Sequence, residues 1–452
     1  MGEITRRGFV AGCCAGIAAM AGSRFNTVAF ADPNGNEEIL VVLFLRGGMD
    51  GLNFMPPLGG TDRGFYEAAR PTLRVPTSGP GSALQLGTSD FGLHPSAAPL
   101  FDLYQSGHLS LVQAVGQTEA NRSHFDAMQY IELGTPGLRS TPTGWLARYL
   151  ATASNLPQEV IVPSLSVGDL QTTSLLGNFE TLNMNSPDNY NLQIGPYQWR
   201  SAQRTALRKL YSGGGSWLHN SGLQSLNSLD VIELNVTDDY EPGNGAVYPE
   251  TSFGEHLQVI AQMIKLELGL SVATLDLGGW DTHNGQGAGS GGFFATLVDE
   301  LSRGLAAFYT DLDGSGASDY ASRLTVVVQS EFGRRLGENA DTGTDHGHGN
   351  VMMVLGGNTV GGIHGAWPGL DPGQLFDGVD LDASTDYRQV LSEILIRRMC
   401  NPNLATIFPG YSGYSPLGVV TGPDLPPVTG QAIFSDGFES GDVSAWTASV
   451  GG

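Results

Sequence analysis

The chain has 452 residues, with 22 Lys and Arg against 45 Asp and Glu, for a formal net charge of −23. So acidic a chain has nothing to neutralise phosphates, which excludes nucleic acid as a partner. Of its three cysteines, Cys13 and Cys14 lie in a segment expected to be removed, so Cys400 stands alone and an intramolecular disulfide is excluded.

Arg6-Arg7, Gly8-Phe9-Val10, a small-residue apolar run from Ala11 to Gly22 and the small-x-small triplet Ala29-Phe30-Ala31 follow one another in the order of a twin-arginine export signal. Residues 1–31 are expected to be that signal, with the mature chain starting at Asp32 and ending up periplasmic or secreted. The apolar run is too short and too rich in Ala and Gly for a membrane span, which needs about 20 apolar residues. No other segment qualifies as a span either. The export route carries proteins already folded, often with a metal or cofactor loaded.

Residues 39–45, ILVVLFL, form an unbroken apolar run, the pattern of a strand buried on both faces. Further strands are predicted at Leu109–Val115, Ser271–Leu277, Leu324–Val328 and Val351–Leu355. Helical periods separate them at 255–267, 293–308 and 386–399; in the second, Phe294, Leu297, Leu301, Leu305 and Phe308 make one stripe. This alternation predicts an α/β fold with a mostly parallel central sheet over residues 32–410. The stretches 56–90 and 165–250 are rich in Gly, Ser, Pro, Asn and Thr and read as long loops or a cap. Residues 411–430 read as a Gly/Pro-rich linker. The tail, 431–452, sets Phe434, Phe438 and Trp446 among Asp, Gly and Ser, the look of a docking or sorting segment for a cell-surface partner.

Two of the nine histidines sit in GTDHGHGN at 343–350, where Asp345, His346 and His348 are interleaved with Gly347 and Gly349. Such density of His and Asp on open backbone is the ligand set of zinc, manganese or iron. Asp281 and His283, in GGWDTH, repeat the character. The placement of the candidates along the chain strengthens the case. Asp50 follows the first strand, Ser123 and His124 the second, Asp281 and His283 the third, and Glu331 the fourth. Ligands in open α/β sheets bind beyond the carboxyl ends of the strands.

Each residue also has a plainer role open to it. Asp50-Gly51 suits a turn. Ser123 suits an N-cap, with Asp126 three residues on as a capping box, and a serine at a helix start also suits attack on an anion. Glu331 suits a surface pair with Arg334 or Arg335. Of His346 and His348, one is expected to ligate and the other to support it. Arg46, Arg334 and Arg335 are candidates to hold an anionic substrate.

LRGGMDGLN, SHFDAMQYIELG, TGWLARYL, GGWDTH, SEFGRR, GTDHGHGNVM and FPG, in this order, resemble the bacterial domain-of-unknown-function 1501 family, from the signal to about Gly410. That family is grouped with the alkaline-phosphatase-like superfamily of metal-dependent phosphatases, sulfatases and phosphomutases. The resemblance implies a three-layer α/β/α sandwich and an exported, metal-dependent hydrolase of phosphate or sulfate esters, acting on an anionic small molecule or polymer. It implies a divalent metal, zinc before manganese, calcium or magnesium, on ligands drawn from Asp50, Asp281, His283, Glu331, Asp345, His346 and His348. Ser123 resembles the nucleophile, with His124 beside it. The chain departs from the superfamily at Ser330-Glu331-Phe332-Gly333: Glu331 can stand for the usual Asp, but Phe332 cannot stand for the usual His. His346 or His348 is expected to make good that loss. No formylglycine-type sulfatase motif is present. The departure motivates the alternative of a non-catalytic exported metal-binding protein in a cell-surface or periplasmic assembly.

Overall fold

A computed structural model describes residues 36–428, except 155, 157–161, 188–189, 193–194, 237–238, 288 and 290. The export signal expected over 1–31 and the tail expected over 431–452 lie outside the described residues.

Strand β1 (Ile39–Leu45) is buried along its whole length. Its side chains alternate between two cores, because successive residues of a strand point to opposite faces. Ile39, Val41, Leu43 and Leu45 enter one core, and Leu40, Val42 and Phe44 the other. Each core needs its own cover, and that need makes the fold three layers deep. Helices Ser252–Lys265 and Phe293–Leu312 cover the first face with their buried stripes. Helices α1 (His124–Leu133), α2 (Trp145–Thr152) and Tyr387–Arg397 contribute to the second. The expected α/β/α sandwich is the fold found.

The sheet continues with β2 (Leu109–Gly116), β3 (Ser164–Val167), β4 (Thr181–Met184), β5 (Val272–Leu277) and β6 (Leu324–Ser330). A small antiparallel ribbon of β7 (Arg334–Glu338) and β8 (Thr344–His346) follows, then β9 (Asn350–Leu355) and β10 (Gly362–His364). The order across the main sheet is β10-β2-β9-β6-β1-β5-β3-β4. Five neighbours from β6 to β4 pair in parallel, while β9 runs antiparallel to both β6 and β2. That reversal has a consequence for the site. The carboxyl ends of β1, β2, β5 and β6 share one edge, and the reversed β9 begins there instead of ending there. Its preceding loop, GTDHGHGN, is therefore delivered to the same edge as the other candidates.

Three stretches are more ordered than their composition predicts. Residues 56–90 contain a helix, Gly60–Ala69, and the start of a short hairpin, Leu84–Gln85 with Gly92–Leu93. The expected loops at 165–250 contain β4 and two helices, α3 (Arg200–Tyr211) and α4 (Trp217–Asn235). Helix α3 has no buried residue. It is fastened to α4 by Arg200, Arg204 and Arg208 against Asp230 and Glu233, a charge period that an apolar pattern does not register. The described part of the expected linker, 411–430, lies packed on the body. The buried Glu393 carboxylate collects the backbone N–H groups of Leu417, Gly418 and Val420 there. Among the described residues no helix is long and apolar enough to cross a membrane.

Candidate metal centre

Four side chains meet at the shared edge. The loop after β2 leads into α1, whose first residue is His124. The loop after β5 brings Asp281 and His283, and the last residue of β8 is His346. One ligand atom each from His124, Asp281 and His346 lies within 4.8 Å of the others. Asp281 Oδ1 is the hub. It lies 3.4 Å from His124 Nε2, 3.2 Å from His283 Nε2 and 3.2 Å from His346 Nε2. His283 Nε2 and His346 Nε2 are 2.9 Å apart.

Each ring is aimed from behind. His124 Nδ1 meets Glu331 Oε1 at 2.7 Å, His346 Nδ1 meets the Arg122 carbonyl at 2.8 Å, and His283 Nδ1 meets Asp345 Oδ1 at 3.1 Å. An oxygen acceptor behind Nδ1 places the proton there and leaves the Nε2 lone pair facing forward, the arrangement found behind metal-bound imidazoles. The forward atoms are then acceptors facing acceptors, which only a cation or an added proton reconciles. His124 Nε2 is buried without a hydrogen-bond partner. Donors around a tetrahedral zinc-like ion stand about 3.3 Å apart, close to the distances around Asp281 Oδ1. The residues present fit a divalent cation.

The charges around the group are arranged as firmly. Arg334 is fully buried, donating to the carbonyls of Gly48 at 2.6 Å, Thr344 at 2.8 Å and Trp280 at 3.0 Å, and to that of Gly47. It ties the loops after β1 and β5 to the ribbon and pairs with Asp281 at 2.8 Å. Burial pushes the Asp281 carboxyl up, but the hydrogen bond and the charge of Arg334 outweigh it and hold the pKa at about 2. The Glu331 hydrogen bond raises His124 above the usual imidazole range, against burial, while burial lowers His346. Glu331 is itself locked, with Gly47 N donating to Oε1 at 2.9 Å and Ser330 Oγ to Oε2 at 3.0 Å.

The expected ligands separate into those that converge and those that do not. Asp281, His283 and His346 converge. His124, read from sequence as a catalytic group, joins them as a donor. Glu331 and Asp345 stand one ring behind, as acceptors for Nδ1. His348 turns away, with its ring 4.4 Å from that of Phe376.

Asp50 is fully buried and already neutralised: Arg70 reaches it at 2.6 Å and Gln286 at 2.5 Å, and it also accepts from Asn53 N at 3.3 Å. It supports the centre indirectly, since Gln286 Oε1 accepts from Thr282 and Thr344, neighbours of Asp281 and Asp345. Ser123 holds the N-cap position, but its side chain makes no cap bond. The expected capping box fails because Asp126 is drawn to Asn121 and Arg139. Phe332, where the resemblance expects a ligand, packs its ring 5.0 Å from that of His124 and 4.9 Å from that of His346. His346 Nε2 stands instead beside Asp281 Oδ1, 3.2 Å away. Of the arginines, Arg46 is held by Glu132 and Asp276, Arg334 by the loops, and Arg335 stands half-exposed with Asp345 4.0 Å away. Sequence reading did not single out Arg70, Gln286 or the Arg122 carbonyl, and no local pattern marks them.

Residues 237–395 match the sequence model of a family described as "Protein of unknown function (DUF1501)". The matched segment contains Asp281, His283, Glu331, Arg334 and His346, whereas Asp50, Arg70 and His124 precede it. Among curated proteins no match was found. Solved structures similar to this chain include the lipoteichoic acid synthase LtaP from Listeria monocytogenes, at 9% identity over 92% of this chain and 81% of that one, with a TM-score of 0.30. The phosphonate monoester hydrolase of Agrobacterium radiobacter is another, at 11% identity over 83% of this chain and 79% of that one, with a TM-score of 0.32.

Proposed function

We propose that the protein is an exported, metal-dependent hydrolase of phosphate or sulfate esters, with one divalent cation, zinc first, held by His124, Asp281, His283 and His346. The convergence of three Nε2 atoms on Asp281 Oδ1, each ring held from behind at Nδ1, carries the metal reading. Partial exposure supports a working site over a sealed one, since the Asp281 side chain is 48% exposed and that of His283 36%. A bound divalent cation supplies Lewis acidity, drawing charge from an ester oxygen and from a nearby nucleophile.

The chain's own residues supply the rest. Ser123 stands next to His124 at the start of α1, its hydroxyl free of a capping bond, and is the nucleophile of this reading. Glu331 holds the His124 ring, and Arg334 fixes Asp281 against the incoming negative charge of the substrate. The half-exposed Arg335, 4.0 Å from Asp345, is the guanidinium that this reading assigns to an anionic ester group. Arg6-Arg7 and the apolar run after them support export by the twin-arginine route.

A second reading is a non-catalytic metal-binding protein of a cell-surface or periplasmic assembly. Four protein donors already complete a tetrahedral set, as in structural zinc sites. One experiment separates the two: metal analysis of purified protein, followed by a screen of aryl phosphate and sulfate esters with wild type and Ser123→Ala. Turnover lost in the variant with the metal retained supports the hydrolase. A metal-loaded protein inert to every ester supports the second reading, and metal-free folded protein overturns both.

A further inference from the structure

Large apolar side chains stand in solvent on, or next to, the elements that carry the residues of the candidate centre. Phe125 directly follows His124 in the first turn of α1 and is 83% exposed. Phe293, first residue of the helix after the Asp281 loop, is 51% exposed, and its ring lies 3.7 Å from where a Cβ on Gly279 would stand. Leu170, three residues beyond the end of β3, is 83% exposed. Strand β3 is the parallel neighbour of β5, so Leu170 belongs to the same sheet edge as Asp281. The chain after Leu170 is fastened to α1 by the backbone hydrogen bond of Thr173 to the Glu132 carboxylate. Gly278, just after β5, faces open space: a Cβ there would meet nothing within 4 Å.

Solvated Phe and Leu carry an unfavourable hydration cost that ligand burial relieves, and apolar side chains gathered around a few polar groups are the ordinary make-up of a small-molecule site. We infer that Phe125, Leu170 and Phe293 bind the apolar part of an amphiphilic substrate, an alkyl or acyl chain, whose anionic ester group sits at the His124–Asp281–His283–His346 centre. The inference rests on the metal-dependent reading and adds the substrate class to it. Phe125 and Phe293 are specificity residues and touch no reacting atom.

The test is calorimetric titration of zinc-loaded protein with inorganic phosphate, ethyl phosphate and octyl phosphate, with metal content measured on the same samples. Each methylene buried adds to binding, so the octyl ester is expected to bind at least tenfold more tightly than the ethyl ester. In the Phe125→Ser/Phe293→Ser double variant both exposed rings are gone without disturbing the core. There the gain is expected to vanish, with phosphate affinity and metal content unchanged. Equal affinity for the two esters in wild type, or a gain that survives in the double variant, overturns the inference while leaving the metal reading intact. Protein that takes up no zinc overturns both. Sedimentation with phosphatidylglycerol vesicles closes the remaining route: vesicle binding without any gain for monomeric octyl phosphate assigns the rim to a lipid surface and overturns the substrate assignment.

Discussion

His283 Nε2 and His346 Nε2 face each other at 2.9 Å, with Nδ1 of the first held by Asp345 and Nδ1 of the second by the Arg122 carbonyl. Two imidazoles with their protons on the outer nitrogens repel at that distance unless a metal cation or an added proton stands between their lone pairs. Purified protein is therefore expected to retain about one equivalent of divalent metal per chain under the proposed stoichiometry. His346→Ala and His283→Ala should each lose most of it, as read by elemental analysis. At a thousandfold excess over Kd the ion stabilises the fold by about 4 kcal/mol, so chelation should lower Tm. A chelator that leaves Tm unchanged would count against a bound ion.

Glu331 acts through His124. Its carboxylate accepts from His124 Nδ1, Gly47 N and Ser330 Oγ, and it does not belong to the converging donor group. Glu331→Gln keeps an acceptor oxygen but removes the charge that makes His124 a better donor to a cation. Metal affinity is expected to fall about 10- to 100-fold, measured by competition with a chromophoric chelator, while stoichiometry at saturation stays at one. An unchanged affinity would make Glu331 a packing group only.

The legible and illegible parts of this site divide on physical grounds. The run ILVVLFL announces a doubly buried strand, and the residues just beyond β1, β2, β5 and β6 are visible as candidates because strand ends are visible. Asp281, His283 and His346 stand out because glycine-rich surroundings leave His and Asp few structural duties. What a sequence pattern does not carry is direction. Whether a side chain enters the converging group or backs a ring depends on backbone torsion after the strand, so Glu331 and Asp345, which read as ligands, stand behind His124 and His283. Nor does an apolar run state its polarity in the sheet: the reversed β9 puts GTDHGHGN at the site. Arg70 and Gln286 sit 20 and 236 residues from Asp50, and nothing local marks such partners.

The Asp50–Arg70 pair is the clearest case of a candidate ligand with a structural duty. Both side chains are fully buried, and Arg70 also donates to the carbonyls of Leu336 and Arg335. Arg70→Met leaves a buried carboxylate uncompensated and is expected to cost about 3–5 kcal/mol in denaturant unfolding. Asp50→Asn/Arg70→Met should recover part of that loss. Asp50→Asn alone should still bind a full equivalent of metal, because Asp50 is not among the donors. Loss of the metal in that variant, with the fold intact, would restore Asp50 as a ligand.

His94 gives a pH dependence separable from the metal centre. It is almost completely buried, its Nδ1 accepts from Ser96 N at 3.2 Å, and its ring stands edge-on to Phe294. Burial pushes its pKa down to about 4, against the opposing effects of a backbone hydrogen bond at Gly289 and the Asp50 charge. The folded value lies below the unfolded value of about 6.5, so on acidification the unfolded chain takes up the proton first. The stability contribution is complete above about pH 6.5 and is lost as pH falls toward 4, about 3 kcal/mol in all. His94→Asn keeps an acceptor for Ser96 N without a titrating ring. Denaturant unfolding of chelated wild type and variant between pH 7 and pH 4.5 should show a steeper loss in wild type. Parallel curves would mean that His94 titrates normally and that its burial is relieved before the fold opens.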